Sequence, residues 1–182
     1  ELLGMQAVTI QAAELPQVLA TSGGQYALYG LERIGVQQGS TWYYPHTDAL
    51  GSVRQWSNGS GNLVGNASYD PFGVPIVREG TLPTGWGYTG EWTDPSGLQY
   101  LRARWYNPAI GRFTQVDPFA GMLSQPGTLN PYIYGLNNPV MYTDPSGKVV
   151  WIPAILGIGA LFGGAASAFG YYVSTPSAKW TE

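Results

Sequence analysis

The amino-acid sequence predicts an all-β fold of successive β-hairpins, and three features carry that prediction. Glycine and proline are abundant, at 26 and 14 of 182 residues, which supplies many tight turns and few long helices. Aromatic residues make up 14% of the chain and charged residues only 10%, the reverse of a disordered tail. Short alternating runs rich in β-branched and aromatic residues sit between those turns, as half-buried strands require. The same composition excludes several functions. The eight basic residues are scattered and the net charge is −3, so there is no electrostatic footprint for a nucleic-acid partner. No cysteine and a single histidine exclude disulfides and a thiolate metal site and argue against zinc; no metal or cofactor is expected.

Residues 1–45 read as short strands. Val8-Thr9-Ile10 alternates with polar neighbours, Gln17-Val18-Leu19 follows Pro16, and Ser22-Gly23-Gly24 marks a turn. Gln25 to Leu31 alternates again, and Thr41-Trp42-Tyr43-Tyr44 forms a strand that Pro45 is expected to end. Ser57 to Asn62 predicts a hairpin turn between Ser52–Trp56 and Leu63–Tyr69, with Asn58-Gly59 supplying the positive φ. Tyr69-Asp70-Pro71-Phe72-Gly73 and Thr93-Asp94-Pro95-Ser96-Gly97 are further corners, the second followed by the strand Leu98–Leu101. Asp before Pro is held extended and its carboxylate can accept the next backbone amides, while Gly closes the turn. The corner recurs at Asp117-Pro118-Phe119 and Asp144-Pro145-Ser146-Gly147, and with Asn at Tyr106-Asn107-Pro108. The spacing is irregular, which favours a run of hairpins over a fixed-period solenoid.

After Lys148 the composition changes. Val149 to Ala178 carries no charge and holds Gly157, Gly159, Gly163, Gly164 and Gly170. A bilayer span needs about 20 apolar residues, so the length allows one. Gly159 and Gly163 form a GxxxG suited to close helix packing. The expectation is a Gly-rich apolar, helical tail with three open readings: a membrane-inserting helix, a translocation segment, or a piece packed inside the protein. The opening Glu1-Leu2-Leu3-Gly4 has no basic n-region, so the chain reads as a piece of a longer protein.

Specific motifs lie between Tyr43 and Gly147. They are Tyr44-Pro45-His46-Thr47-Asp48-Ala49-Leu50-Gly51-Ser52-Val53-Arg54, Tyr69-Asp70-Pro71-Phe72-Gly73, and Tyr88-Thr89-Gly90-Glu91 with Asp94 and Gly97-Leu98. Then follow Arg102-Ala103-Arg104-Trp105-Tyr106-Asn107-Pro108, Gly111-Arg112-Phe113, Asp117-Pro118, Tyr132, Tyr134, Asn137-Asn138-Pro139 and Asp144 to Gly147. In order and spacing this segment resembles the RHS repeat-associated core domain of RHS/YD-repeat proteins. The resemblance divides the chain into YD-type repeat strands at 1–42, the core domain at 43–147 and the apolar segment at 148–182. It implies hairpins wound into a spiralling shell that an inward-turning C-terminal plug closes. The implied partners are upstream RHS/YD repeats of the same polypeptide and its own C-terminal segment as encapsulated payload. The implied setting is bacterial, secreted or at the cell surface.

The resemblance also implies chemistry. The family's core domain is often an aspartyl autoprotease that acts on its own chain and separates a C-terminal, toxin-like segment. Carried over by position, Asp117 and Asp144 are the carboxylates and Arg104 their cationic neighbour, with the cut after Lys148 in the run Gly147-Lys148-Val149. Two carboxylates sharing a site cannot both ionise freely, so one serves as acid while the other activates water. The chain departs from the family in two places: Lys148 stands where cleaved members carry leucine, and Asn107 replaces the usual Asp. A charged side chain fits poorly in an apolar subsite.

Plainer roles remain open. Asp before Pro is a turn-former first, and not all such corners can be catalytic. Arg112 is expected to pair with a carboxylate, and His46 has no nucleophile elbow beside it. Asn58-Gly59-Ser60 and Asn66-Ala67-Ser68 have the form of glycosylation acceptors but are too short to decide anything. The alternative to the self-cleaving core is a non-catalytic structural module of a secreted, surface or fibrous assembly, its 149–173 stretch contacting membrane or a neighbouring subunit. A third reading, carbohydrate binding, needs an exposed aromatic platform.

Overall fold

A computed structural model describes residues 5–9, 16–30, 33–80, 82–83 and 85–148. Eight strands follow in chain order: β1 Met5–Thr9, β2 Pro16–Thr21, β3 Gln25–Tyr29, β4 Arg33–Gln38, β5 Thr41–Thr47, β6 Val53–Asn58, β7 Leu63–Tyr69 and β8 Pro75–Gly80. Each pairs antiparallel with the next, giving one sheet in sequential order. A second sheet holds β9 Gln99–Leu101, β10 Arg104–Asn107 and β11 Arg112–Phe113 in the order β11-β10-β9. The described residues are thus all-β hairpins, as expected, with only 3-10 turns at Tyr88–Gly90, Pro126–Leu129 and Gly135–Asn137 besides. The helical tail, Val149 and the expected membrane or subunit contact through 149–173 lie outside the described residues.

One corner recurs. At Asp48, Asn58, Asp70, Asp94 and Asp144 the side-chain Oδ1 accepts the amide N–H four residues on, at 2.8 to 3.1 Å. At the first four of these it also accepts the N–H two residues on. The glycine three residues on donates its N–H back to the corner residue's own carbonyl. Those glycines (51, 61, 73, 97 and 147) have φ between +67° and +98°. This is a type I turn closed by a left-handed residue, the three-residue hairpin loop that needs glycine at one place only.

That geometry corrects one expectation. In the Asn58 turn the left-handed residue is Gly61, and Asn58 works through its side-chain oxygen. Asn-Gly therefore does not form a two-residue primed turn here. Pro45 does not end its strand either. β5 runs on to Thr47, and beyond Tyr43 it is in register with β6 alone, so a missing amide is tolerated as on a sheet edge.

Two apolar clusters fill the interior. Val18, Val36, Val53, Trp56 and Trp86 form one, under the large sheet. Tyr88, Leu101, Tyr106, Phe113 and Tyr134 form the other, beside the small sheet. Arg33 spans the seam: its guanidinium lies 5.8 Å from the rings of both Trp56 and Trp86, and it donates to the Gly90 carbonyl at 2.6 Å. In the second cluster Tyr106 stacks on Tyr134 at 4.1 Å, and Phe113 meets both edge-on. The hydroxyls of Tyr88 and Tyr106 donate to the carbonyls of Pro71 and Phe72, tying this core to the Asp70 corner. Burial pushes the Tyr88 phenol up to about 12, so it stays neutral and keeps donating.

Gly73 shows how closely that corner is packed. Its φ is +98°, and a Cβ there would stand 2.5 Å from the Tyr88 ring. Gly97 has φ +86° with nothing within 4 Å. Gly97→Ala should therefore cost only the left-handed strain, about 1 kcal/mol. Gly73→Ala should cost about 1–3 kcal/mol more through overpacking. Denaturant melts of the two variants check this, and equal losses would contradict the packing argument.

Candidate functional site

The β9–β10 hairpin turns through Arg102-Ala103, so Arg104 opens β10 opposite Leu101. Its side chain is only 3% exposed. A cation so buried needs acceptors on every face, and Arg104 has them. Nε donates to the Gly147 carbonyl at 2.5 Å, and Nη1 to the Pro131 carbonyl at 3.2 Å. Nη2 meets Asp117 Oδ2 at 2.8 Å and Asp144 Oδ2 at 3.4 Å. The Phe113 ring covers the guanidinium, its centroid 3.6 Å from Cζ.

Each carboxylate is fixed from behind. Asp144 is 2% exposed, and its Oδ1 accepts Ser146 Oγ–H at 3.0 Å and the Lys148 N–H at 3.1 Å. Asp117 follows β11; its N–H donates to the Pro131 carbonyl at 2.8 Å, and its Oδ1 accepts the Phe119 N–H at 2.8 Å. Asp144 is thus closed off, while Asp117, with a side chain 16% exposed, keeps a face toward solvent. Burial lowers the Arg104 pKa from its ordinary value, and the two carboxylates, Asp117 more than Asp144, pull it back up. In return, the guanidinium counters the repulsion that two carboxylates in one site would otherwise meet.

The three residues singled out from the sequence therefore meet in one place. Gly147 joins them through its carbonyl. Its φ is +67°, and a Cβ would stand 2.9 Å from the Arg104 nitrogen, so the backbones pass too closely for any side chain. Lys148 is exposed, its amide on Asp144. His46 is remote: its Nε2 faces Ser57 Oγ at 2.9 Å across β5 and β6. Arg112 does not form the expected ion pair among the described residues. Its Nη1 is buried without a hydrogen-bond partner.

No sequence pattern points to a second arginine–carboxylate pair, at Arg102 and Glu91. Arg102 Nη1 lies 2.5 Å from Glu91 Oε1 and 2.7 Å from the Pro145 carbonyl, and Nη2 donates to Gln17 Oε1 at 2.7 Å. The contact with Gln17 crosses 85 residues of sequence, which no local pattern reports.

The model of the Teneurin YD-shell family matches residues 28–140. The chain belongs to that family. The expected RHS/YD identity is thereby borne out, and the hairpin sheet is a piece of YD-shell.

Among curated relatives, the tRNA3(Ser)-specific nuclease WapA of Bacillus spizizenii is 36% identical over 125 residues, covering 66% of this chain and 5% of WapA. Toxin protein Tse5 of Pseudomonas aeruginosa is 37% identical over 108 residues, covering 58% of this chain and 8% of Tse5. Salivary gland surface protein 1 of Aedes aegypti is 33% identical over 151 residues, covering 81% of this chain and 4% of that protein. The crystal structure of TcdB2-TccC3 without its hypervariable C-terminal region superposes with a TM-score of 0.58 at 25% identity, covering 72% of this chain and 7% of that one. The chain thus spans less than a tenth of the length of each of these proteins.

Two outcomes follow from the electrostatics. Arg104→Leu should lower stability by about 3–5 kcal/mol, because it strands two carboxylates with no cation between them; a chemical melt reads this. Burial pushes the Glu91 carboxyl above its ordinary value of 4.5, against the pull of Arg102 and Arg33. The folded chain then holds this proton to a higher pH than the unfolded chain does. Stability from Glu91 is therefore greatest below about pH 4.5 and falls as pH rises through the folded value. Melts across that range should fall less steeply in Glu91→Gln than in the wild type.

Proposed function

We propose that this chain is the closing core of a bacterial YD shell, and that it cuts its own backbone after Lys148 to separate a C-terminal, toxin-like payload held within. One observation carries the reading: a single buried guanidinium binds Asp117, Asp144 and the carbonyl of Gly147. That grip fixes the backbone one residue ahead of the bond to be cut, and orientation of this kind supplies much of an enzyme's rate. The relatives support the payload: WapA is named a nuclease and Tse5 a toxin, and TccC3 is described with a hypervariable C-terminal region. A shell that carries such cargo out of a cell supports a secreted or cell-surface setting for this chain, with upstream repeats of the same polypeptide as its partners.

In the reaction, Asp117, the more exposed carboxylate, takes a proton from water. The water oxygen bonds to the Lys148 carbonyl carbon, giving a tetrahedral oxyanion. Asp144, protonated for this step, hands its proton to the Val149 nitrogen. The C–N bond breaks, leaving a carboxylic acid on Lys148 and a free amine on Val149, and the proton that Asp117 took up replaces the one that Asp144 gave. Arg104 balances the charge throughout, and Phe113 above it limits access of solvent.

A second reading has its own support. The Asp144 corner repeats a hairpin device that serves a purely structural purpose at Asp48 and Asp94, and Lys148 places a charge where an apolar residue would suit the cut. The similarity to a salivary gland surface protein fits such a structural module.

The intact mass of the full-length parent separates the two. Expected for the wild type is a break with the C-terminal product starting at Val149, and none in Asp117→Asn or Asp144→Asn. One uncut mass in all three proteins would leave the structural reading.

A further inference from the structure

Arg102 stands where a two-residue hairpin loop favours glycine. Leu101 and Arg104 are partners across the turn, and Arg102 between them has φ +58°. Glycine adopts that conformation freely and arginine does not. Strain of this kind persists where surrounding contacts over-determine it. Here the side chain is 7% exposed and ion-paired to Glu91. Its remaining donors reach Pro145, inside the Asp144 corner, and Gln17 on β2.

The turn itself is laid on the same corner. The Ala103 N–H donates to the Ser146 carbonyl at 3.2 Å, and a Cβ on Gly147 would stand 2.3 Å from the Leu101 carbonyl. Arg102 therefore ties three separate pieces together. These are an early strand of the large sheet, the turn that carries Glu91, and the corner that carries Asp144.

We infer that Arg102 is a positioning residue for the scissile corner, and that through Gln17 it makes the seating of that corner depend on strand β2 of the shell. The inference rests on the self-cleavage reading and adds its regulation. Without β2 and the Glu91 turn in place, Arg102 loses its anchors and Pro145 its donor. The Asp144 corner is then no longer registered against Arg104. Cutting is confined to chains whose shell sheet has already formed.

The test uses the full-length parent with Arg102→Gly, which fits the φ without strain, and with Gln17→Ala on β2. Two quantities are read in each: the self-cleavage rate, and amide hydrogen exchange at Gly147 and Lys148 in protein also carrying Asp117→Asn to keep it uncut. Expected for Arg102→Gly is a cleavage rate about 10- to 100-fold lower, the loss a small misplacement gives. Exchange at the two corner amides should speed up by more than at the β6 and β7 amides, which report the global stability lost when Glu91 is left without Arg102. Gln17→Ala should shift both readouts the same way by less. Arg102→Lys should restore part of the rate, since it keeps a charge for Glu91 but lacks the fork that reaches three acceptors.

Wild-type cleavage and wild-type exchange in Arg102→Gly would overturn the inference and leave the self-cleavage reading intact. If no parent is cut, that reading fails by itself. Unchanged exchange would then overturn the positioning role as well, and faster exchange would keep it as a purely structural tie between β2 and the corner.

Discussion

The structure depends on one small interaction: a side-chain oxygen of Asp or Asn accepting the amide N–H four residues ahead while a glycine takes the left-handed conformation between them. Each such corner satisfies backbone donors that a reversing chain would otherwise leave open. Those at Asp48, Asn58 and Asp70 send β6, β7 and β8 each back alongside the strand before it, which keeps that half of the large sheet in chain order. The device occupies only one oxygen of an aspartate. At Asp48 the second oxygen holds Arg54 at 2.7 Å, and at Asp144 it faces Arg104. The candidate chemistry therefore sits on an atom that the fold leaves over.

Much of this was legible in the residues themselves. Asp-Pro-x-Gly announces the corner because Asp, Pro and Gly each contribute a separate local effect, and those effects act within five residues. The strands between corners showed in their alternation for the same reason. Errors came where a neighbour overrode the local rule. Asn58-Gly59 has the form of a primed turn, yet the corner at Asn58 places the positive φ at Gly61. Pro45 was expected to stop a strand that in fact continues where only one neighbour remains.

The candidate site was legible in a different way. No periodicity or spacing brings Arg104, Asp117 and Asp144 together; their grouping came from resemblance to the RHS core, and only the folded chain gives it distances. The Pro131 carbonyl, which serves both Arg104 and the Asp117 amide, carries no sequence signal at all, since every residue has a carbonyl. Arg102 was hidden for a related reason. Its left-handed conformation is a property of the turn, and its partners lie on distant strands. Arg102 and Arg104 each enter the interior beside a carboxylate, while Arg33 lies against Trp56 and Trp86 and on the Gly90 carbonyl.

The spare oxygen at the corner has a consequence for how such shells diversify. Asn58 closes its hairpin with the same pair of amide bonds that Asp70 uses, so asparagine and aspartate are interchangeable as far as the backbone is concerned. An exchange of one for the other at position 144 would keep the bond to the Lys148 amide and remove one negative charge from beside Arg104. The shape of the corner and the charge it presents to the interior can therefore vary separately.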